Sequence, residues 1–123
     1  SPMTITYNIR IDDGTVYVKA SGVDESLSEV EAYGMAVVDA AVESQSTRVL
    51  CDERELAYAL GTVDTYDYAA YIAARVPLLV KVAIVSNPEY ADDAAFWEDV
   101  VVNRGMTVRV FHNRDKAEQW LAE

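Results

Sequence analysis

The run Leu78-Leu79-Val80-Lys81-Val82-Ala83-Ile84-Val85, held between Pro77 and Asn87-Pro88, constrains this chain more than any other stretch. Its length suits a strand better than a helix, β-branched residues dominate it, and prolines punctuate both ends, so it reads as a buried strand. A buried strand must be paired on both edges. Helical patterns precede and follow it, so its neighbours are expected to be parallel strands joined by helical crossovers in an α/β fold.

The other elements follow from periodicity. Thr4 to Asp12 alternates strictly, with Ile5, Tyr7, Ile9 and Ile11 on one face, and Asp13-Gly14 supplies the positive φ angles of a tight hairpin into Val16, Val18 and Ala20. An acidic stretch then leads into a helix. Ser28 with Glu31 fits a capping box, and Val30, Tyr33, Val37, Val38 and Ala41 make its buried stripe. Gly34 within that stripe implies close packing against a neighbouring strand. Thr47 to Asp52 reads as a third strand ending in the acidic cluster Asp52-Glu53-Arg54-Glu55. Leu56 to Asp64 reads as an irregular loop. A second helix is expected over Tyr66 to Val76, with Thr65 available as its N-cap. A third opens at Asp92-Asp93, presents Phe96, Trp97, Val100 and Val101, and stops at Asn103-Arg104-Gly105. Met106 to Phe111 is the fifth strand, and Asn113 caps a last helix whose Ala117, Trp120 and Leu121 close the core edge.

Composition narrows the function classes. A chain of 123 residues is expected to form one domain spanning 1–123. Its net charge of −11 opposes binding to nucleic acid and to anionic membranes. No apolar stretch reaches transmembrane length and none resembles a leader, so a cytoplasmic setting is expected. One cysteine, Cys51, cannot form an internal disulfide and reads as a buried inert thiol. Together with the single His112 it is too little for a structural metal site, and no cofactor motif is present.

The element order, the Ala83-Ile84-Val85 strand core, and Val108-Arg109-Val110-Phe111-His112-Asn113 running into Ala117-Glu118-Gln119-Trp120-Leu121 resemble the SpoIIAA-like proteins. These share the fold of the STAS domains, found in anti-sigma factor antagonists and sulfate-transporter tails. The resemblance spans the whole chain. It implies a mixed five-stranded sheet, an N-terminal antiparallel hairpin followed by parallel strands with right-handed crossovers, and about four helices. In the antagonists a serine at the start of the second helix is phosphorylated by a partner kinase. Here the matching stretch is Leu60-Gly61-Thr62-Val63-Asp64-Thr65-Tyr66, which lacks serine, so Thr62 and Thr65 are the hydroxyls that would serve such a switch.

Catalytic signatures are absent. There is no glycine-rich phosphate loop and no nucleophile elbow, and His112 has no nucleophile near it in sequence. Asp52, at the expected end of a parallel strand, is the carboxylate placed where α/β sheets put ligands. Tyr58, Tyr66, Tyr68 and Tyr71 crowd one segment and offer amphipathic contact surface to a ligand or partner. The strand alternation also sets Arg10, Lys19, Arg48, Lys81 and Arg109 on the sheet face opposite the core. Continuous apolar runs are lacking on that face, so the helices are expected to cover mainly the other one and leave this one for a covering element, a second subunit or a partner. The first functional reading is a non-enzymatic binding or regulatory module working through protein or small-ligand contacts. A carrier of a small apolar, lipid-like ligand comes second, and an enzyme using carboxylates near Asp52 third.

Overall fold

The computed structural model describes residues 4–123. Strands β1 (Ile5–Asp12), β2 (Thr15–Asp24), β3 (Arg48–Tyr58), β4 (Lys81–Ser86) and β5 (Thr107–Phe111) form one sheet in the order β1-β2-β3-β4-β5. The first pair is antiparallel and the others are parallel. Asp13 (φ 48°) and Gly14 (φ 77°) make the hairpin turn, whose two positive φ angles match the twist of the strands they join. Helices α1 (Leu27–Ser44), α2 (Thr62–Ala73) and α3 (Ala91–Asn103) are the crossovers, and α4 (Arg114–Ala122) ends the chain.

Because the parallel strands are laid down in one direction, crossovers of one hand deliver all three helices to the same face. There Val16, Val18, Ala20, Val49, Cys51, Val82, Ile84 and Val108 meet Val30, Val37, Ala41, Ile72 and Val101 in the main core. The stripe expected on α1 is buried as read, and Gly34 with it. Gly34, however, packs against α2 and not against a strand: a Cβ there would lie 2.7 Å from the Tyr68 hydroxyl and 2.9 Å from Ile72 Cδ1.

Several boundaries differ from the sequence reading. The α1 cap is Ser26, whose hydroxyl accepts from the Glu29 N–H, while the Glu29 carboxylate accepts from Thr4 N at 2.8 Å and ties β1 to the helix. Helix α2 starts earlier, with Gly61 as its cap, so Thr65 lies inside the helix. Leu78 and Leu79 are not in the strand: they are 81% and 87% exposed. The Val80 N–H closes a turn onto Pro77 O at 3.1 Å, and pairing begins at Lys81, opposite Arg48 and Thr107. With β3 starting only at Arg48, Leu78 and Leu79 have no strand to pair with.

The face expected to be open is partly covered by α4. Leu50, Ala83 and Val85 pack with Ala117 and Leu121 in a second small core, flanked by Tyr17, Phe111 and Trp120. Lys81 lies 4.4 Å from the Trp120 ring centroid and donates to the Trp120 carbonyl, placing a cation at the negative end of α4. Trp120 is only half-buried, so Trp120→Ala is expected to cost about 2–3 kcal/mol, at the low end for an aromatic truncation. Urea denaturation measures this, and a loss below about 1 kcal/mol would show that α4 contributes little to the fold.

Candidate functional site

Strand β3 is the element that builds the site. Its partner β2 advances from Lys19 to Ser21 while β3 advances from Asp52 to Glu55, so β3 carries one extra residue there. Such a bulge changes which face later side chains take. Before it Val49, Cys51 and Glu53 point to the helices, and after it Leu56 and Tyr58 do. Five residues apart in a regular strand, Glu53 and Tyr58 would face opposite ways. Here the Tyr58 hydroxyl donates to Glu53 Oε1 at 2.6 Å, and Tyr33 of α1 donates to Oε2 at 2.7 Å.

Glu53 is 8% exposed and Asp24, the last residue of β2, 9%. Both border a cavity of about 100 Å³ between the sheet and α1, α2 and α3. The polar end of this cavity is formed by Asp24, Glu53, Tyr33, Tyr58 and Tyr68 at the later halves of β2 and β3. Its apolar end is formed by Val49, Val80, Val76 and Met106, where β3 and β4 begin. Asp93 at one end and Pro77 at the other are exposed on its rim. Tyr68 stacks on Trp97 of α3 with centroids 6.4 Å apart, and the buried Trp97 Nε1 has no hydrogen-bond partner among the described residues.

The electrostatics of the two carboxylates follow from burial without a cation. Burial raises the Asp24 carboxyl to about 7, with the nearby Glu53 and Asp93 adding to the rise and the Ala59 N–H, 2.5 Å from Oδ1, opposing it. Glu53 is also raised by burial, against the pull of its two tyrosine donors. Burial pushes the hydroxyls of Tyr33, Tyr58 and Tyr68 well up, so all three stay protonated donors at neutral pH. The Cys51 thiol, buried beside them, is raised in the same way and is inert.

The residues singled out from the sequence are not all brought together. Tyr58, Tyr68 and Thr65 line the cavity. Tyr66 is exposed and bonded by Arg104 at 2.8 Å, Tyr71 lies under the Arg75 guanidinium at 3.6 Å from its centroid, and Thr62 is exposed at the start of α2. Asp52 sits on the opposite face of the sheet, 2% exposed, in a bidentate pair with Arg54 at 2.9 and 2.7 Å and 3.6 Å from Lys19. Arg54 holds its carboxyl down at about 2, so Asp52 is an ion-pair anchor and no proton carrier at neutral pH. Arg48 and Arg109 are exposed, and Lys81 is occupied by α4. Asp24, Tyr33 and Trp97 carried no site signal in the sequence, and Glu53 stood there only as one of the carboxylates beside Asp52. Glu53 shares the inward alternation of Val49 and Cys51, and the bulge after it turns Leu56 and Tyr58 to the same side.

Two further chemistries can be placed. His112 Nδ1 lies 3.2 Å from Ser86 Oγ, a pair separated by 26 positions in sequence, but Ser86 is wholly buried and offers no accessible nucleophile. Among the described residues no group of three acidic, histidine or cysteine side chains could hold a metal ion, and no helix is long and apolar enough to cross a membrane.

No family model matches the sequence, and no curated protein does. Among solved structures the chain is similar to an anti-sigma factor antagonist from Mycobacterium paratuberculosis, at 16% identity and a TM-score of 0.71 over 100% of this chain and 98% of that one. It is similar to the anti-sigma factor antagonist SpoIIAA in its unphosphorylated form, at 12% identity and 0.54 over 95% and 98%. An uncharacterized DUF3478 protein with a SpoIIAA-like fold from Shewanella loihica PV-4 aligns at 20% identity and 0.53 over 98% and 97%. At such identities the likeness is one of architecture, and the chain has the SpoIIAA-like, STAS-type fold.

Proposed function

We propose that the protein is a binding module that takes a small, mostly apolar ligand into the cavity between its three crossover helices and its sheet. The observation that carries this reading is the cavity itself, lined by Tyr58 and Tyr68 together with the apolar faces of α1 and α2. Protein interiors are close-packed, so about 100 Å³ left unfilled between the helices and the sheet departs from ordinary packing. A domain of 123 residues retains such a void against a marginal stability, which is the expected signature of a site kept open for an occupant. Of the residues that line the pocket, the buried Cys51 thiol is inert, which favours binding over covalent chemistry as its work. A reduced cytoplasmic setting suits the single free thiol.

Benzyl alcohol is a suitable compact neutral probe. It is expected to raise the melting temperature saturably. Ala94→Leu, which builds side chain into the cavity wall from α3, is expected to abolish that rise while keeping the circular dichroism of the parent. Absence of any shift with benzyl alcohol, benzylamine or benzoate would overturn the reading, as would an undiminished shift in a folded Ala94→Leu variant.

A further inference from the structure

Three observations at the polar end of the cavity point to a more specific ligand. The first is charge without counter-charge. Asp24 and Glu53 are both more than nine-tenths buried, Asp93 stands on the rim, and no lysine, arginine or histidine lines the cavity among the described residues. The basic side chains of this sheet region, Lys19 and Arg54, lie on the other face with Asp52. Buried carboxylates in proteins are ordinarily paired, so a pair left without a cation in a cavity asks for one from outside.

The second is aromatic lining. Tyr33, Tyr58, Tyr68 and Trp97 line the cavity with the carboxylates, Tyr33 and Tyr58 bonded to Glu53 itself, and such rings attract a desolvated cation through their faces. The third is the division of the cavity along its length. Acidic and aromatic groups occupy the end near the finish of β2 and β3, while the end near Val76, Val80 and Met106 is purely aliphatic.

We propose that the pocket is a site for a compact organic amine, its ammonium group held by Glu53 and Asp24 within the tyrosine and tryptophan rings and its apolar body lying toward Val80 and Met106. This rests on the small-ligand reading above and names the class of that ligand. The volume sets the scale: about 100 Å³ is two-thirds of the roughly 150 Å³ that holds a benzene ring in an apolar cavity, so the ligand is a short-chain amine or a single-ring one that reaches the exposed rim. A carboxylate ligand would be repelled. A neutral alcohol would fill the same volume and gain no charge pairing.

Ligand charge and carboxylate charge are then coupled. The titratable groups around Asp24 and Glu53 are Tyr33 from α1, Tyr68 from α2, Asp93 from α3, and Cys51, Asp52 and Tyr58 from β3, none of them a cation. Raising the pH from 6 to 8 removes the proton from Asp24 and strengthens the hold on an ammonium group, leaving a neutral ligand unaffected.

Isothermal titration calorimetry of the whole protein with benzylamine, benzyl alcohol and benzoate tests this, because the three share a ring and differ in head-group charge. Benzylamine is expected to bind at least tenfold more tightly than benzyl alcohol at pH 8, with its advantage shrinking severalfold at pH 6, and benzoate is expected not to bind. Glu53→Gln and Asp24→Asn should each reduce the ratio of benzylamine to benzyl alcohol affinity. Equal affinities for the amine and the alcohol in the parent protein would overturn the amine assignment and leave the small-ligand reading standing. An amine advantage unchanged in both folded variants would also overturn it. Failure of all three probes would overturn both.

Discussion

Gly22→Ala is expected to destabilise the protein by about 3–5 kcal/mol, among the largest losses open to a single methyl group. Gly22 has φ 106°, a region that L side chains rarely adopt, and a Cβ there would sit 2.0 Å from the Thr4 carbonyl oxygen and 3.1 Å from its carbon. Both obstacles are backbone, so no rotamer change relieves them. The Thr4 carbonyl also accepts the Val23 N–H at 2.9 Å, the hydrogen bond that follows the last β1–β2 pair, Ile5 with Gly22. Displacing it moves Ile5, which is buried in the core and lines the cavity. Urea denaturation would measure the loss, and the benzyl alcohol shift should weaken with it. A cost below about 1 kcal/mol would mean that β1 slides to accommodate the methyl.

Asp24→Asn should act in the opposite direction, stabilising the unliganded protein by about 2 kcal/mol at pH 8. The folded-state value near 7 lies above the usual 3.8, so between those limits the folded protein keeps a proton that the unfolded chain has released. The stability this proton confers is complete below about pH 4 and is lost as the pH rises through 7. Asparagine retains an oxygen for the Ala59 N–H and cannot ionise, which removes the loss. Asp52 titrates the other way: its carboxyl is held at about 2, so its contribution is present above the ordinary aspartate range and disappears only in stronger acid. The two windows do not overlap. Melting curves of parent and variant at pH 5 and pH 8 should therefore diverge as pH rises, and parallel curves would refute the buried, uncompensated state of Asp24. A residue that weakens the empty protein at physiological pH fits a binding site in which the ligand supplies the missing charge.

Much of the fold could be read from local pattern. The alternation of β1 and β2, the Asp13-Gly14 turn, the buried stripe of α1 and the Asn113 cap of α4, whose side chain accepts from the Lys116 N–H, depend on contacts within a few residues. Steric limits on φ and the periods of helix and strand express these directly in the order of the residues. Of the tyrosine-rich segment, Tyr58 and Tyr68 reach the cavity, while Tyr66 and Tyr71 do not line it.

What lay beyond the sequence depends on partners distant along the chain. Leu78 and Leu79 belong to an apolar run yet stay exposed, because pairing is fixed by where β3 and β5 begin and hydrophobicity does not record that. Asp52 finds Arg54 two residues along its own strand, but the added Lys19 comes from a neighbouring strand, and the cover over Leu50 and Val85 needed the return of α4 after the last strand. The bulge that turns Glu53 and Tyr58 to one side is visible only as an offset in register between β2 and β3. The cavity is further still from the sequence, being a volume that three helices and a sheet leave unfilled. Alternation and caps are written residue by residue, whereas an unfilled volume and a carboxylate without its cation arise only when side chains from several elements converge.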